Sequence, residues 1–319
     1  MKRVLACLLI GLMAIASFGC GSPGEKAQPV GTINISYVKL PLNVPSIVEK
    51  KLGLFEKEFG RDNIKVSFPE ILEGPKMTEA LAAGSLDVCN ALGGTSAILA
   101  AANGVDLKII GIYSRAPQAF AIMAKDPRIK SVADLKGKKI AGPKGTILHQ
   151  LLIAALSKQN MAVADTNFVN MPIPQAVTAL LSAGVDAALV AGPAVPKAME
   201  NGARIIATGE GLLDATIVIA VRNAFLTGQP ELVRRYLKVH HDSLRYMKEH
   251  PEEVYRLAAE ETGLSVADVR RMYPWYDFNP AVSAADRKEL EKTQDFLLAN
   301  GLLKRKIVID SVIADMNKL

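Results

Sequence analysis

The chain has 319 residues, of which 50% are hydrophobic, 22% charged and only 5% aromatic, and its formal net charge is +6. This balance excludes a disordered chain and gives length enough for one large or two modest packed domains. The basic excess is scattered. Runs such as Lys304-Arg305-Lys306 are short and carry no interleaved aromatics, so they read as solvated surface and no nucleic-acid partner is expected.

Met1-Lys2-Arg3 is a positive start, and residues 4–18 form an uncharged apolar run. A permanent membrane span needs about 20 such residues, so residues 1–19 read as a signal peptide. Cys20 after Gly19 resembles a bacterial lipoprotein cleavage site, where the new N-terminal cysteine is lipidated. Ser17 and Phe18 depart from that pattern, which favours Leu three residues before the Cys and a small residue two before it. Ala14-Ile15-Ala16 offers a competing cleavage that releases a soluble protein. Residues 20–31 are rich in Gly, Pro and polar side chains, as a linker or tether should be. The expected location is the periplasm or the outer face of the cytoplasmic membrane, with a lipid anchor on Cys20. Cys7 and Cys20 lie in the export region, which leaves Cys89 as the one interior thiol, read as buried and inert.

The elements follow from hydrophobic period. Residues 32–40 alternate as a strand and 45–60 show helical spacing. Residues 63–71 are a strand and 74–84 a helix stopped by Gly84. "LDVCNAL" is a strand, "GTSAILAAANG" a helix, and 106–114 and 119–125 are strands. The pattern then restarts. Ser131 caps a short helical piece. Residues 138–146 run from a strand into a Gly-rich turn, and 147–161 form an amphipathic helix. "NFVNMP" (strand), 173–184 (helix), "VDAALVA" (strand), "PAVPKAMENG" (helix) and "ARIIATG" (strand) follow. After 215–226 helical patterns dominate. The alternation predicts α/β layers around largely parallel sheets.

One phrase occurs twice. Leu81-Ala82-Ala83-Gly84 matches Leu181-Ser182-Ala183-Gly184, Asp87 matches Asp186, and Asn103-Gly104 matches Asn201-Gly202. Each copy reads helix, Gly stop, Asp-led strand, Gly turn, helix, Asn-Gly stop, strand. Either two blocks share one build, or Ala-rich helix–strand–helix units simply look alike.

"EALAAGSLDV", "ANGVDLKIIG", "SVADLKGKKIAGPKGTILHQLLIAAL" and "LLSAGVDAALVAGPAVPKAMENG", in that order behind a secretory start, resemble the nitrate/sulfonate/taurine-type solute-binding proteins of ABC transporters. The likeness covers nearly all of the mature chain. It implies a type II periplasmic-binding-protein fold: an α/β chain in two lobes, with mixed, mostly parallel sheets flanked by helices and a helical C-terminal region. Lobe 1 would be 32–118 plus 217–319 and lobe 2 would be 119–216, with crossings near 116–119 and 214–217. The likeness also implies binding without catalysis, no cofactor and no metal. The partners would be a small-molecule solute and an ABC transporter permease in the cytoplasmic membrane, and the protein would be a monomer. The family takes nitrate, taurine, alkanesulfonates, bicarbonate and pyrimidine-like solutes. Few aromatics flank the candidate turns, which favours a small sulfonate- or carboxylate-like anion over a flat heterocycle. Two alternatives stay open: a binding protein or enzyme related to thiamin-pyrimidine precursors, and a sensory lipoprotein.

In such sheets a ligand sits at the carboxyl ends of strands, against helix N-termini whose first N–H groups are unpaired. Four strand-to-helix turns qualify, through Leu40, Pro41 and Asn43; Gly94, Thr95 and Ser96; Gly145 and Thr146; and Ala191 and Gly192. Thr95, Ser96 and Thr146 add hydroxyls, and could equally be N-caps. Pro193 removes one donor from the fourth turn. Arg115, at a strand end, could pair with an anionic headgroup or lie on the surface, and His149, on the first turns of a helix, could reach the cleft or be structural. "GPKGT" lacks P-loop spacing, the four His show no zinc spacing, and no Gly-x-Ser-x-Gly elbow occurs.

Overall fold

The computed structural model describes residues 30–38 and 42–315. The predicted signal peptide, Cys20, Leu40 and Pro41 lie outside the described residues. The chain begins with β1 (Thr32–Asn34), α1 (Val44–Lys51), α2 (Leu54–Phe59), β2 (Lys65–Ser67), α3 (Gly74–Ala82), β3 (Val88–Gly93), α4 (Gly94–Ala102) and β4 (Leu107–Arg115). A second block follows: β5 (Phe120–Ala124), β6 (Lys139–Gly142), α5 (Ile147–Ser157), β7 (Asn167–Asn170), α6 (Ile173–Leu181), β8 (Ala187–Ala191), α7 (Ala194–Glu200) and β9 (Arg204–Thr208). β10 (Thr216–Arg222) returns to the first block. After it come α8 (Asn223–Gly228), α9 (Pro230–Glu249), α10 (Pro251–Thr262), α11 (Val266–Met272), α12 (Ala284–Ala299) and α13 (Ile309–Val312).

The two blocks share one strand design, built in the first from a two-stranded and a three-stranded sheet joined by an isolated bridge and in the second from one five-stranded sheet. In the first, β1 pairs in parallel with β2, Ile35 bridges in parallel to Val88, and β10 lies antiparallel between β3 and β4. In the second the order is β7-β6-β8-β5-β9, with β5 antiparallel between β8 and β9. In both blocks the strand arriving from the other block runs against its neighbours. β5 and β8 are buried throughout and read "FAIMA" and "AALVA", the unbroken apolar runs of strands covered on both faces.

The doubled phrase marks this shared design. Asp87 accepts the N–H of Asn34 in β1 at 3.0 Å, and its own N–H donates back to the Asn34 carbonyl, also at 3.0 Å. Asp186 does the same to Lys139 in β6, accepting at 2.8 Å and donating at 2.9 Å. Each Asp ties the strand it precedes to an earlier strand of its own block.

Two expected elements changed form. The helix expected over 45–60 breaks into α1 and α2 because Gly53 adopts φ +60°, a left-handed stop that only glycine takes without strain. The strand expected over 32–40 is a regular ladder only through Asn34. Beyond it the Ile35 and Tyr37 N–H groups go to Ser67 and Pro69, and that of Ser36 goes to Val88, so the segment serves neighbours on both sides.

Two segments connect the blocks. Gly209 N–H donates to Pro117 O at 3.0 Å and to Phe120 O at 3.1 Å, which joins the two crossings side by side. α9 packs on α1 and α2, stacking Tyr236 on Phe55 with centroids 5.0 Å apart. Beneath it Glu49 accepts from His240 at 2.7 Å, from Asn90 at 3.2 Å and from Ser243 at 3.1 Å, a polar layer fully enclosed by the core. α12 lies along α4. Among the described residues no helix is long and apolar enough to cross a membrane.

Candidate ligand-binding cleft

A cavity of about 80 Å³ lies where the carboxyl ends of the two blocks' strands face one another. The first block supplies Val38, Met77, Ala91, Gly93, Ser96 and Ile217, and the second Phe120, Thr146, Ile147, Ile173 and Ala191. The walls are mostly apolar. Ala91 holds φ +59° within β3, a left-handed backbone that costs a non-glycine residue about 1 kcal/mol and sits directly in the cavity wall.

The cavity is framed by helix starts. α3 and α4 begin on one side, α5 and α6 on the other, and none of the four has a side-chain cap. Uncapped first turns present unpaired N–H groups and roughly half a positive charge each. Pro75 and Pro174 remove one donor each from the first turns of α3 and α6, so α4 and α5 are the richer donors.

The hydroxyls expected at these turns do not cap them. Thr146, at the N-cap position of α5, donates instead to Pro143 O at 2.8 Å. Ser96 donates across the cleft to Gly145 O at 3.0 Å. Thr95 also crosses, donating to Gln150 Oε1 at 2.6 Å, and Gln150 Nε2 donates on to Thr293 of α12 at 3.2 Å. These bonds hold the two blocks together in a closed arrangement. Gly74 is required beside them: a Cβ there would stand 2.3 Å from Ser96 Oγ and 2.8 Å from Ser96 Cβ.

Of the residues singled out from sequence, Ser96, Thr146 and Ala191 line the cavity. Gly145 turns at φ +74° and contributes the carbonyl that receives Ser96. Thr95 is buried in the bridging chain. Gly94 faces away, packed so closely that a Cβ would meet Leu290 and Thr216 O at 3.0 Å; Gly93 lines the cavity in its place. The Gly192 N–H is bonded to Ala119 O at 2.8 Å. Asn43 is buried and donates to Val38 O at 2.9 Å.

Two of these residues are engaged away from the cavity wall. Arg115 does not reach toward an anion in the cleft: its Nε and Nη2 each lie 2.6 Å from the Asp286 carboxylate, and Nη1 lies 2.9 Å from Asp277. It also donates to Asn279 O and Ala281 O at 3.1 Å, so it pins the 277–286 segment to the end of β4. His149 is 4% exposed and stacked on Phe168 at 5.0 Å, outside the cavity wall. Burial, aided by the charge of Lys144, pulls its pKa down to about 4, and the neutral ring accepts the Gly145 N–H at 3.4 Å.

Sequence reasoning missed two further turns, Leu72-Glu73-Gly74 before α3 and Pro172-Ile173-Pro174 at the start of α6. Both join a strand to a helix with Pro at its first positions, and the doubled phrase begins with these same helices. That was the available signal. Cys89 is fully buried, its thiol pushed up to about 12 by burial and 3.7 Å from Met77 O, as expected of an inert thiol. Among the described residues no group of three His, Cys, Asp or Glu could hold a metal ion.

Two like-built α/β lobes, joined by two crossings and closing on a cavity at their strand ends, define a periplasmic-binding-protein fold. The NMT1/THI5 like family model matches residues 42–254, and the chain belongs to that family. A Bacillus subtilis (strain 168) protein named for aliphatic sulfonate binding is 29% identical over 317 residues, covering 98% of this chain and 95% of its own. The taurine-binding periplasmic protein of Escherichia coli (strain K12) is 27% identical over 210 residues, covering 65% of this chain and 64% of its own. Among solved structures, the alkanesulfonate-binding protein SsuA of Xanthomonas axonopodis pv. citri, bound to MOPS, superposes with a TM-score of 0.82 at 26% identity, covering 90% of this chain and 99% of its own. The desulfurization enzyme DSZB, at 18% identity and a TM-score of 0.68, covers 89% of this chain and 96% of its own and shares the fold.

Proposed function

We propose that the protein is the extracytoplasmic solute-binding component of an ABC importer, which captures a small sulfonate- or carboxylate-like anion between its lobes and delivers it to a membrane permease. The observation that carries this reading is the set of four uncapped helix N-termini framing one apolar cavity. The anionic head sits against the first turns of α4 and α5, where backbone dipoles supply charge without a desolvated cation. The aliphatic tail lies on Val38, Met77, Phe120 and Ile173. Micromolar affinity corresponds to about 8 kcal/mol, within reach of several dipolar hydrogen bonds and modest apolar burial.

The two crossings act as the hinge between lobe 1 (residues 32–118 and 217–319) and lobe 2 (residues 119–216). A ligand that touches both lobes favours the closed form, and the permease reads that form. Relatives named for sulfonate and taurine binding support the ligand class. The protein works as a monomer in the periplasm, tethered through a lipid on Cys20. Burial of Cys89 argues against the nucleophilic chemistry that would make it an enzyme.

A thermal-shift screen of the mature protein against alkanesulfonates, carboxylates, nitrate and pyrimidines tests the reading. A ligand of the native state raises Tm by mass action. No shift with any solute, together with turnover of one of them, would overturn it.

A further inference from the structure

Part of the cavity wall is shaped by an irregularity in β3. Val218 pairs with Leu92 and Ala220 with Cys89, so Asn90 and Ala91 together face the single residue Ile219 across the ladder. Such a β-bulge leaves one residue out of the pairing and bends its strand. Where a bulge needs a left-handed residue, glycine normally supplies it. Here Ala91 does so, at φ +59°, and Ala91 lines the cavity.

Asn90, the other bulge residue, is buried and does not line the cavity. Its Nδ2 donates to Ser46 Oγ at 2.9 Å and to Glu49 Oε2 at 3.2 Å, both on α1. Its main-chain carbonyl accepts the Ser36 hydroxyl at 3.0 Å. Glu49 is held in turn by His240 and Ser243 of α9, at 2.7 Å and 3.1 Å. The bulge is therefore gripped through both the side chain and the main chain of Asn90, by groups outside the β3–β10 ladder.

A non-glycine residue keeps a left-handed backbone only where its surroundings over-determine it. β10 cannot do this alone, because its register with β3 shifts at this point. The polar layer can. A carboxylate only accepts, so Glu49 fixes the Asn90 amide with Nδ2 toward α1, and buried networks of this kind rigidify what they join.

We propose that Asn90 is a positioning residue for solute binding: its bonds to α1 and to Ser36 clamp the bulge that sets Ala91 into the cavity wall. This rests on the reading of the cleft as a solute site and adds to it a residue that acts from behind the wall, through Ala91.

The test places Asn90→Ala in two backgrounds of the mature protein, wild type and Ala91→Gly. All four proteins are titrated calorimetrically with propane-1-sulfonate or, failing that, butanoate, and unfolded in denaturant. Glycine takes the left-handed backbone without strain, so with Gly at 91 the clamp is no longer needed. Asn90→Ala should weaken binding about tenfold in the wild-type background and less than about twofold in the Ala91→Gly background. It should lower stability in both, because Glu49 loses a donor in each. Affinity unchanged by Asn90→Ala, or weakened equally in both backgrounds, makes Asn90 a packing residue; it overturns the clamp and leaves the solute reading standing. Ser36→Ala removes only the bond to the Asn90 carbonyl, and serves if Asn90→Ala folds poorly. It should show the same dependence on background at a smaller factor, and equal loss in both again overturns the clamp. If wild type binds neither probe, the solute reading falls and the clamp with it.

Discussion

The Ser96 hydroxyl, on the first turn of α4, donates to the carbonyl of Gly145, in the turn before α5, at 3.0 Å. One lobe thereby holds the other at the edge of the cavity. Thr95, its neighbour, does the same to Gln150 at 2.6 Å from a fully buried position.

These two bonds should be separable. Ser96→Ala removes one bond at the cavity wall, and about 1 kcal/mol of closure, or roughly fivefold in ligand affinity, should go with it. Thr95→Val leaves the buried Gln150 amide without its donor and should destabilise by about 1–3 kcal/mol. Calorimetry reads the first effect and denaturant unfolding the second.

Gly74→Ala places a methyl 2.3 Å from Ser96 Oγ and should push α3 away from α4. A loss of about 1–3 kcal/mol is expected. Because Ser96 supplies both clashing atoms, the double variant Gly74→Ala/Ser96→Gly should recover much of the stability while still lacking the interlobe bond.

Much of this architecture was legible in the chain. Strand–helix alternation came through because buried strands and one-sided helices have different hydrophobic periods. The doubled phrase came through because Asp87 and Asp186 do one local job, bonding an earlier strand of their own block. Arg115 was not legible. Its partner Asp286 is 171 residues away, and a strand-end arginine looks alike whether it awaits a ligand or a carboxylate. The turn at Glu73-Gly74 was missed for a related reason: what makes Gly74 necessary is Ser96, on another helix.

The pairing of Arg115 with Asp286 has its own consequence. Asp286 is only 3% exposed, and although burial pushes its carboxyl up, hydrogen bonds from Arg115 and Ser283 hold it below the usual range. Arg115→Ala should strand that charge and cost about 3 kcal/mol of stability, and Arg115→Lys should recover only part because it loses the two-pronged contact. Unchanged stability with lost ligand binding would return Arg115 to the cleft.

His149 sets a pH dependence. Its folded pKa lies near 4, depressed by burial, against 6.5 for the free side chain. Between those values the unfolded chain binds a proton that the folded one refuses. The stability contributed by this site is therefore present above about pH 6.5 and lost as pH falls toward 4. The fall in Tm across that window should be shallower in His149→Leu than in wild type; identical slopes would show that the ring titrates freely.

We propose that the first turns of α4 and α5 hold the anion. A crystal structure of the mature protein grown with an alkanesulfonate tests it most directly. Sulfonate oxygens are expected at about 3 Å from backbone N–H groups of those turns, with the alkyl chain along Met77, Phe120 and Ile173. A sulfonate found outside this cleft, or inside it with its charged group turned toward Glu73, would contradict it.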